Sequence, residues 1–253
     1  MSHFVYALSL IIYVALSFLY FVERDFVLTF YAWLALLLTA FLLKPMREHA
    51  LLLLLIGLCF CLLVVLSEIS PWLNWPFDFY LVALFGFGLL RFGIRRPAEK
   101  LKWSFAFSKL EWLSIFAINI PAIFVLTYYY KFNPEIANAW PLPKVPLWSV
   151  PFVVVLIAIV NGLREEIFYR GLLQPASGKM APAWFVIGLQ AVLFGFLHFM
   201  NAFPQGWLGV LMTAVWGAAI ATQYRFFKSI SLSWVTHAMA DAIMFGIIIY
   251  TRS

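Results

Sequence analysis

Residues that could carry out acid–base chemistry are concentrated at one point of an otherwise apolar chain. Glu165 and Glu166 are adjacent, and Arg170 follows four residues after the second glutamate. Acidic residues are scarce, with only 11 Asp and Glu among 253 residues. Because an ionisable side chain at membrane depth is expensive to bury, such residues usually mark a functional site. The adjacent glutamates are therefore the first candidates for catalysis.

Helical spacing predicts different roles for the two glutamates. In an α-helix, Glu166 and Arg170 lie on one face, in the order that favours an ion pair. Glu165 lies about 100° further round the helix and has no local partner. We expect Glu166 and Arg170 to brace the helix and Glu165 to face the interior as an acid or base. In the alternative, the carboxylates are snorkelling charges in the headgroup region.

Three further polar residues lie in apolar segments closer to the C-terminus. They are His198, His237 and Asp241. The last two are four residues apart and share a helix face, so the carboxylate could fix the tautomer of the imidazole or complete half of a metal site. Each residue alone could equally be a core histidine or an interhelical clamp. Together with the glutamates, they could form a hydrolytic site.

Composition identifies the surroundings of these residues. Hydrophobic residues make up 65% of the chain and charged residues 11%, against roughly 45–50% and 25% in soluble domains. The chain is therefore predicted to be an integral membrane protein. Its net charge of +6 comes from short basic clusters between apolar runs, which orientation in a bilayer explains. We expect the lipid bilayer as a partner and no nucleic acid.

The apolar segments predict an all-α, polytopic membrane helical bundle. A spanning helix needs about 20 mostly apolar residues, and this length predicts about nine transmembrane helices. Turns rich in proline and tryptophan separate the third span from the fourth and the fifth from the sixth. The predicted spans are residues 4–22, 26–43, 49–67, 72–91, 112–130, 148–173, 183–200, 206–224 and 230–250.

Charge also predicts domains and orientation. Residues 93–111 are strongly basic, and we expect a cytoplasmic loop there, between motif-free transmembrane helices at 1–92 and a helical core with all candidate catalytic residues at 112–253. If the N-terminus is cytoplasmic, most of the 17 Lys and Arg fall on the inner side, as cytoplasmic loops require. This orientation predicts a multi-pass protein of the cell (inner) membrane, with its site near the cytoplasmic side.

The polar residues resemble the three signatures of the CAAX protease and bacteriocin-processing family of intramembrane proteases. This family, also called CPBP or Abi, includes the type II CAAX prenyl endopeptidases. The third motif of these endopeptidases usually ends in asparagine, where this chain has aspartate. The matching residues are Glu165, Glu166 and Arg170 for EExxxR, Phe194 and His198 for FxxxH, and His237 and Asp241 for the third motif.

The resemblance implies an intramembrane endopeptidase that acts on a membrane-embedded or membrane-tethered protein or peptide, including lipidated ones. Glu165 with His198 would activate the attacking water. His237 and Asp241 would stabilise the oxyanion or orient its donor. The residues that support the site would be Glu166, Arg170 and Phe194.

Other mechanisms and functions stay open. A metal-free glutamate mechanism without a cofactor is preferred because the chain has no HExxH helix, but zinc held by Glu165, His198 and His237 is an alternative. A proton-coupled transporter would also bury such residues, although no internal repeat supports it. A non-catalytic immunity or scaffold membrane protein would use them for packing alone.

Overall fold

The computed structural model is helical in the residues that it describes. These residues are 3–21, 23, 26–42, 81, 83–84, 102–139, 146–175, 181–199 and 204–252. They contain no β-strand, only an isolated parallel bridge between Lys102 and Ser229. The all-α prediction is confirmed for this part of the chain.

The helices follow the apolar segments of the sequence. They are α1 (His3–Phe21), α2 (Phe26–Leu42), α3 (Lys109–Phe132), α4 (Pro134–Ala139), α5 (Val150–Glu166), α6 (Ala183–Leu197), α7 (Gly206–Phe227) and α8 (Ile230–Arg252). A 3₁₀ turn at Leu147–Ser149 precedes α5, and a π-helix at Ile167–Leu173 continues it without a break. Both glutamates of the first motif therefore lie at the end of α5.

Three of the described helices are long and apolar enough to cross a membrane. They are Lys109–Phe132, Gly206–Phe227 and Ile230–Tyr250. The helix α6 is also apolar but has only 15 residues. The prediction of about nine spans goes beyond these helices, and two of its spans, 49–67 and most of 72–91, lie outside the described residues.

The helix α6 ends earlier than the sequence predicts. The predicted span 183–200 includes His198, whereas α6 ends at Leu197 and His198 is its C-cap residue. The last turn is tightened, because the His198 N–H donates to Gly195 O and the Phe199 N–H to Phe196 O, each at 3.0 Å. Such bonds commonly close the end of a helix. His198 thus lies at a helix end and not inside an apolar span.

The chain forms two compact units. The first unit comprises Met1–Lys100 with Ile167–Ala221, and the second comprises Leu101–Glu166 with Thr222–Ser253. The predicted domain boundaries around 93–111 stay a prediction, since residues 85–101 lie outside the described residues.

In the second unit, α8 packs along α5 and α3. The two helices α5 and α8 approach closely at Gly162, where an added Cβ would lie 3.1 Å from Ala238 N and 3.4 Å from His237 Cβ. A side chain at position 162 would require the backbone of α8 to move by a few tenths of an ångström. The lack of a side chain at Gly162 thereby allows the third motif to lie beside the first.

Buried polar side chains also hold α8 against its neighbours in the second unit. Asn119 Nδ2 on α3 donates to Thr236 O at 3.2 Å, one residue before His237. Gln223 Nε2 donates to Ser114 Oγ at 2.9 Å, and Thr236 Oγ1 donates to Gln223 Oε1 at 3.1 Å. A slip of α8 would leave these buried groups without partners, at a cost of about 1–3 kcal/mol each. The network therefore fixes the position of His237 along the helix axis relative to α3.

In the first unit, α6 packs against α1 and α7. An added Cβ at Gly195 would lie 2.8 Å from Val210 O, and one at Gly217 would lie 3.3 Å from Phe194 Cδ1. Both glycines allow close contact between α6 and α7. The ring of Phe194 is held in place by this contact.

Gly162→Ala should destabilise the protein, because the new methyl group would be forced against the backbone of α8. We expect a loss of about 1–3 kcal/mol, the usual range for overpacking, measured by thermal unfolding in detergent. Gly246→Ala on α8 is the matched control, since no atom lies within 4 Å of a Cβ added there. Equal Tm values for the two variants would contradict the close approach of α5 and α8.

Candidate active site

The centre of the site in the second unit is a hydrogen bond between two buried side chains. His237 Nδ1 on α8 lies 2.8 Å from Glu166 Oε1 at the end of α5. Glu166 is 0% exposed and His237 is 2% exposed. A carboxylate oxygen accepts, so Nδ1 carries the proton. Glu166 therefore fixes the tautomer of His237, a role that the sequence assigns to Asp241.

The other nitrogen of the His237 ring faces two further carboxyl groups. Its Nε2 lies 3.7 Å from Glu165 Oε2 and 3.7 Å from Asp241 Oδ1. Both distances exceed that of a direct hydrogen bond. Polar groups at this separation are often bridged by a water molecule. The imidazole therefore lies among the carboxyl groups of all three acidic residues that the sequence predicts for the site.

Glu165 has a local partner, contrary to the sequence prediction. Arg164 Nη2 donates to Glu165 Oε1 at 3.2 Å, and both side chains are buried. Neighbouring residues on a helix point in different directions, but the long guanidinium side chain reaches back to the carboxylate. Glu165 is thus paired with a cation through one oxygen and faces His237 with the other.

Asp241 is held by a residue that the sequence prediction omits. Asn161 Nδ2 on α5 donates to Asp241 Oδ2 at 2.9 Å. Arg164 Nε donates in turn to Asn161 Oδ1 at 3.0 Å. The signal for both residues is present in the sequence, because Asn161 and Arg164 are polar residues in the same apolar run as the glutamates. Asn161 is four residues before Glu165 and hence on its helix face.

In the first unit, the FxxxH motif makes a hydrogen bond within one helical turn. His198 Nδ1 lies 2.9 Å from Phe194 O, and the ring centroids of the two residues are 4.7 Å apart. A carbonyl oxygen can only accept, so Nδ1 carries the proton and Nε2 is the basic nitrogen. The four-residue spacing of the motif thus sets the tautomer of His198.

Arg170 is also placed by contacts within the first unit. Its Nη2 donates to Gly217 O at 3.0 Å. Its guanidinium carbon lies 5.6 Å from the Tyr169 ring and 5.9 Å from the Phe194 ring, within cation–π range. Arg170 therefore supports the aromatic residue that orients His198. The predicted ion pair with Glu166 stays a prediction.

The structure brings the predicted site residues together within each unit. The second unit joins Glu165, Glu166, His237 and Asp241, and the first unit joins Arg170, Phe194 and His198. Among the described residues, no group of three His, Cys, Asp or Glu side chains has the arrangement of a metal site.

Residues 146–243 match the family model of the Rce1-like type II CAAX prenyl endopeptidases. This part of the chain is similar to that family. The three motifs lie inside the Rce1-like region, so the match confirms the resemblance that they carry. No curated protein and no solved structure matches the chain.

The match to the Rce1-like family model suggests CAAX-type intramembrane protease activity. The apolar helices agree with it, because three described helices can span a bilayer. The chain is thus an integral membrane protein. The polar residues of the three motifs are buried in the structure, although a bilayer interior otherwise excludes water and charge.

Glu166→Leu should leave the His237 Nδ1–H without its acceptor in the Rce1-like region. We expect a loss of about 1–3 kcal/mol in the free energy of unfolding, the desolvation penalty of one buried donor. The His237 ring should also change from one tautomer to a mixture. Nitrogen-15 NMR of histidine-labelled protein in detergent measures this change.

Glu166→Gln is the control for this experiment, because its side-chain oxygen can still accept from Nδ1. It should retain the tautomer of the wild type. An unchanged His237 spectrum in Glu166→Leu would contradict the proposed orienting role of Glu166.

Proposed function

We propose that the chain is an intramembrane endopeptidase that hydrolyses a peptide bond of a membrane-embedded or membrane-tethered protein substrate. The observation that carries this proposal is the buried contact of His237 with Glu166 and Glu165 inside the Rce1-like region. A histidine among carboxyl groups can transfer protons and stabilise developing charge. Apolar residues would pack this helix interface better than these polar groups, so packing alone does not explain them.

Glu165 is the base in this mechanism. The oxygen at 3.7 Å from His237 Nε2 is positioned to accept a proton from a bridging water. That water attacks the carbonyl carbon of the scissile peptide bond, and the proton held by Glu165 passes to the leaving amine. Arg164 binds the other carboxylate oxygen and holds Glu165 in one orientation.

His237 stabilises the tetrahedral intermediate. With Nδ1 bound to Glu166, its Nε2 can donate to the oxyanion when the ring is protonated. An ionised Asp241 cannot itself donate a hydrogen bond, so its role is to orient His237 and not to bind the oxyanion.

His198 enters the proposal through its motif. Its tautomer, set by Phe194 O, gives a basic Nε2 that can accept a proton from water. Its role beside Glu165 rests on the resemblance of the motifs. Arg170 and Phe194 support this histidine.

The site needs no metal in this mechanism, and we place it near the cytoplasmic side of the cell (inner) membrane.

A prenylated protein is the first substrate to test, because the matching family is described as prenyl endopeptidases. The probe is a fluorogenic peptide that ends in a farnesylated CAAX sequence, mixed with purified protein in liposomes. In parallel, membrane proteomes of cells with wild-type protein and with Glu165→Gln are compared. Precursors that accumulate only in the variant identify natural substrates.

Glu165→Gln, His198→Ala and His237→Ala should each reduce cleavage by about 100-fold or more, the usual effect of removing an acid–base group or an oxyanion donor. Membrane insertion and folded yield should be retained. Glu135→Gln is the matched control, since Glu135 lies exposed on α4. Wild-type cleavage by any of the three site variants would contradict the proposal.

Removal of metal should leave the activity unchanged, since the proposed mechanism uses Glu165 as the base. The measurement is cleavage after dialysis against a chelator, with metal content determined on the same sample by mass spectrometry. Stoichiometric zinc that is lost in parallel with activity would contradict the metal-free mechanism. It would favour zinc bound by Glu165, His198 and His237.

A further inference from the structure

We propose that Asn161 is a positioning residue of the protease site. Its side-chain amide connects Arg164 to Asp241 and so sets the positions of two groups that flank Glu165 and His237. The expected effect of Asn161 on kcat rests on the proposed function. The structural part of the inference, the coupling between Asn161 and Asp241, is independent of that function.

The chemistry of its neighbours fixes the orientation of the Asn161 amide. Arg164 Nε can only donate, and it lies 3.0 Å from Asn161 Oδ1. An ionised Asp241 can only accept, and its Oδ2 lies 2.9 Å from Asn161 Nδ2. A side chain with an acceptor at one end and a donor at the other is required between these two residues. An amide of this length satisfies both contacts.

The amide completes a ring of polar contacts. Arg164 also binds Glu165 Oε1 at 3.2 Å. Glu165 and Asp241 each approach His237 Nε2 to 3.7 Å. The ring therefore runs from His237 through Glu165, Arg164, Asn161 and Asp241 back to His237, and its residues come from α5 and α8 alone.

Placement on the two helices supports this role. Asn161 precedes Glu165 by four residues on α5, and His237 precedes Asp241 by four residues on α8, so each pair occupies one helix face. Asn161 thus contacts α8 one turn away from the contact between Glu166 and His237. Two contacts at different heights prevent the rotation of one helix against the other that a single contact would allow.

The alternatives at position 161 each break at least one of these contacts. Aspartate would place two carboxylates 2.9 Å apart, where like charges repel and at least one carboxylate must be protonated. Alanine would remove the donor for Asp241 and the acceptor for Arg164 together. Exchange of the two residues, Asn161→Asp with Asp241→Asn, would instead restore a donor facing an acceptor.

The test compares Asn161→Ala, Asn161→Asp, Asp241→Asn and the double exchange with the wild type on the farnesylated CAAX peptide. We expect kcat to fall about 100-fold in Asn161→Asp, the effect of misplacing a catalytic group by about 1 Å, with KM little changed. The double exchange should recover kcat to within about tenfold of the wild type. Asn133→Asp, the same substitution at the end of α3, should keep wild-type kcat.

Thermal unfolding in detergent gives a second readout that needs no substrate. Asn161→Ala and Asp241→Ala should lower Tm by less in combination than the sum of their separate effects, because both remove the same contact. Additive changes in Tm would overturn the inference. So would wild-type kcat in Asn161→Ala, or a double exchange no more active than Asn161→Asp.

The two proposals fail in different ways. Wild-type cleavage by Glu165→Gln, or no cleavage by the wild type, would count against the proposed function, while the Tm coupling would still decide the contact between Asn161 and Asp241. Loss of cleavage in Glu165→Gln with full activity in Asn161→Ala would overturn only the inference. If Asn161→Asp does not fold, Asn161→Ala and the double exchange provide the comparison.

Discussion

The hydrogen bond from His237 to Glu166 imposes requirements on the rest of the second unit. Both side chains are removed from water, and a buried carboxylate is tolerated only when donors or cations compensate for its lost hydration. The contact at 2.8 Å can form only if α5 and α8 approach closely and in one register. Gly162 allows the approach, and the polar contacts of Asn119, Gln223 and Thr236 determine the register.

The charges of this site are arranged so that each carboxyl group has a different neighbour. Glu166 accepts from His237, Glu165 accepts from Arg164, and Asp241 accepts from Asn161. In a medium of low polarity, a different hydrogen-bond donor gives each of the three carboxyl groups different acid–base properties. A structural support, a base and an orienting group can therefore lie within one small cluster.

Much of this organisation follows from the sequence. Apolar runs of spanning length predict the helices, and the scarcity of charge predicts a functional role for Glu165, His198, His237 and Asp241. The sequence does not reveal that Glu166 orients His237, because helical spacing describes neighbours on one helix and that contact joins two. The distance between α5 and α8 depends on packing at Gly162. Glycine has no side-chain chemistry that would single it out in the sequence.

The end of α6 shows a second limit of sequence reasoning. Hydropathy continues past His198, so the predicted span includes it. The backbone instead tightens into i→i+3 hydrogen bonds at Gly195 and Phe196, a choice that hydrophobicity does not encode. Arg164 and Asn161 stand out in the sequence as polar residues in an apolar run. The partner of Asn161 on α8 follows only from the packing of α8 beside α5.

The contact between Asn161 and Asp241 has an evolutionary consequence. Since one partner must donate and the other accept, aspartate at position 161 is unfavourable while position 241 is also aspartate, whereas asparagine at position 241 still offers an acceptor oxygen to Asn161. Relatives of this chain that carry aspartate at the position of Asn161 should therefore tend to carry asparagine, and not aspartate, at the position of Asp241. The contact would then appear in natural sequences as correlated substitution between two helices, at one position inside the third motif and one position outside all three motifs.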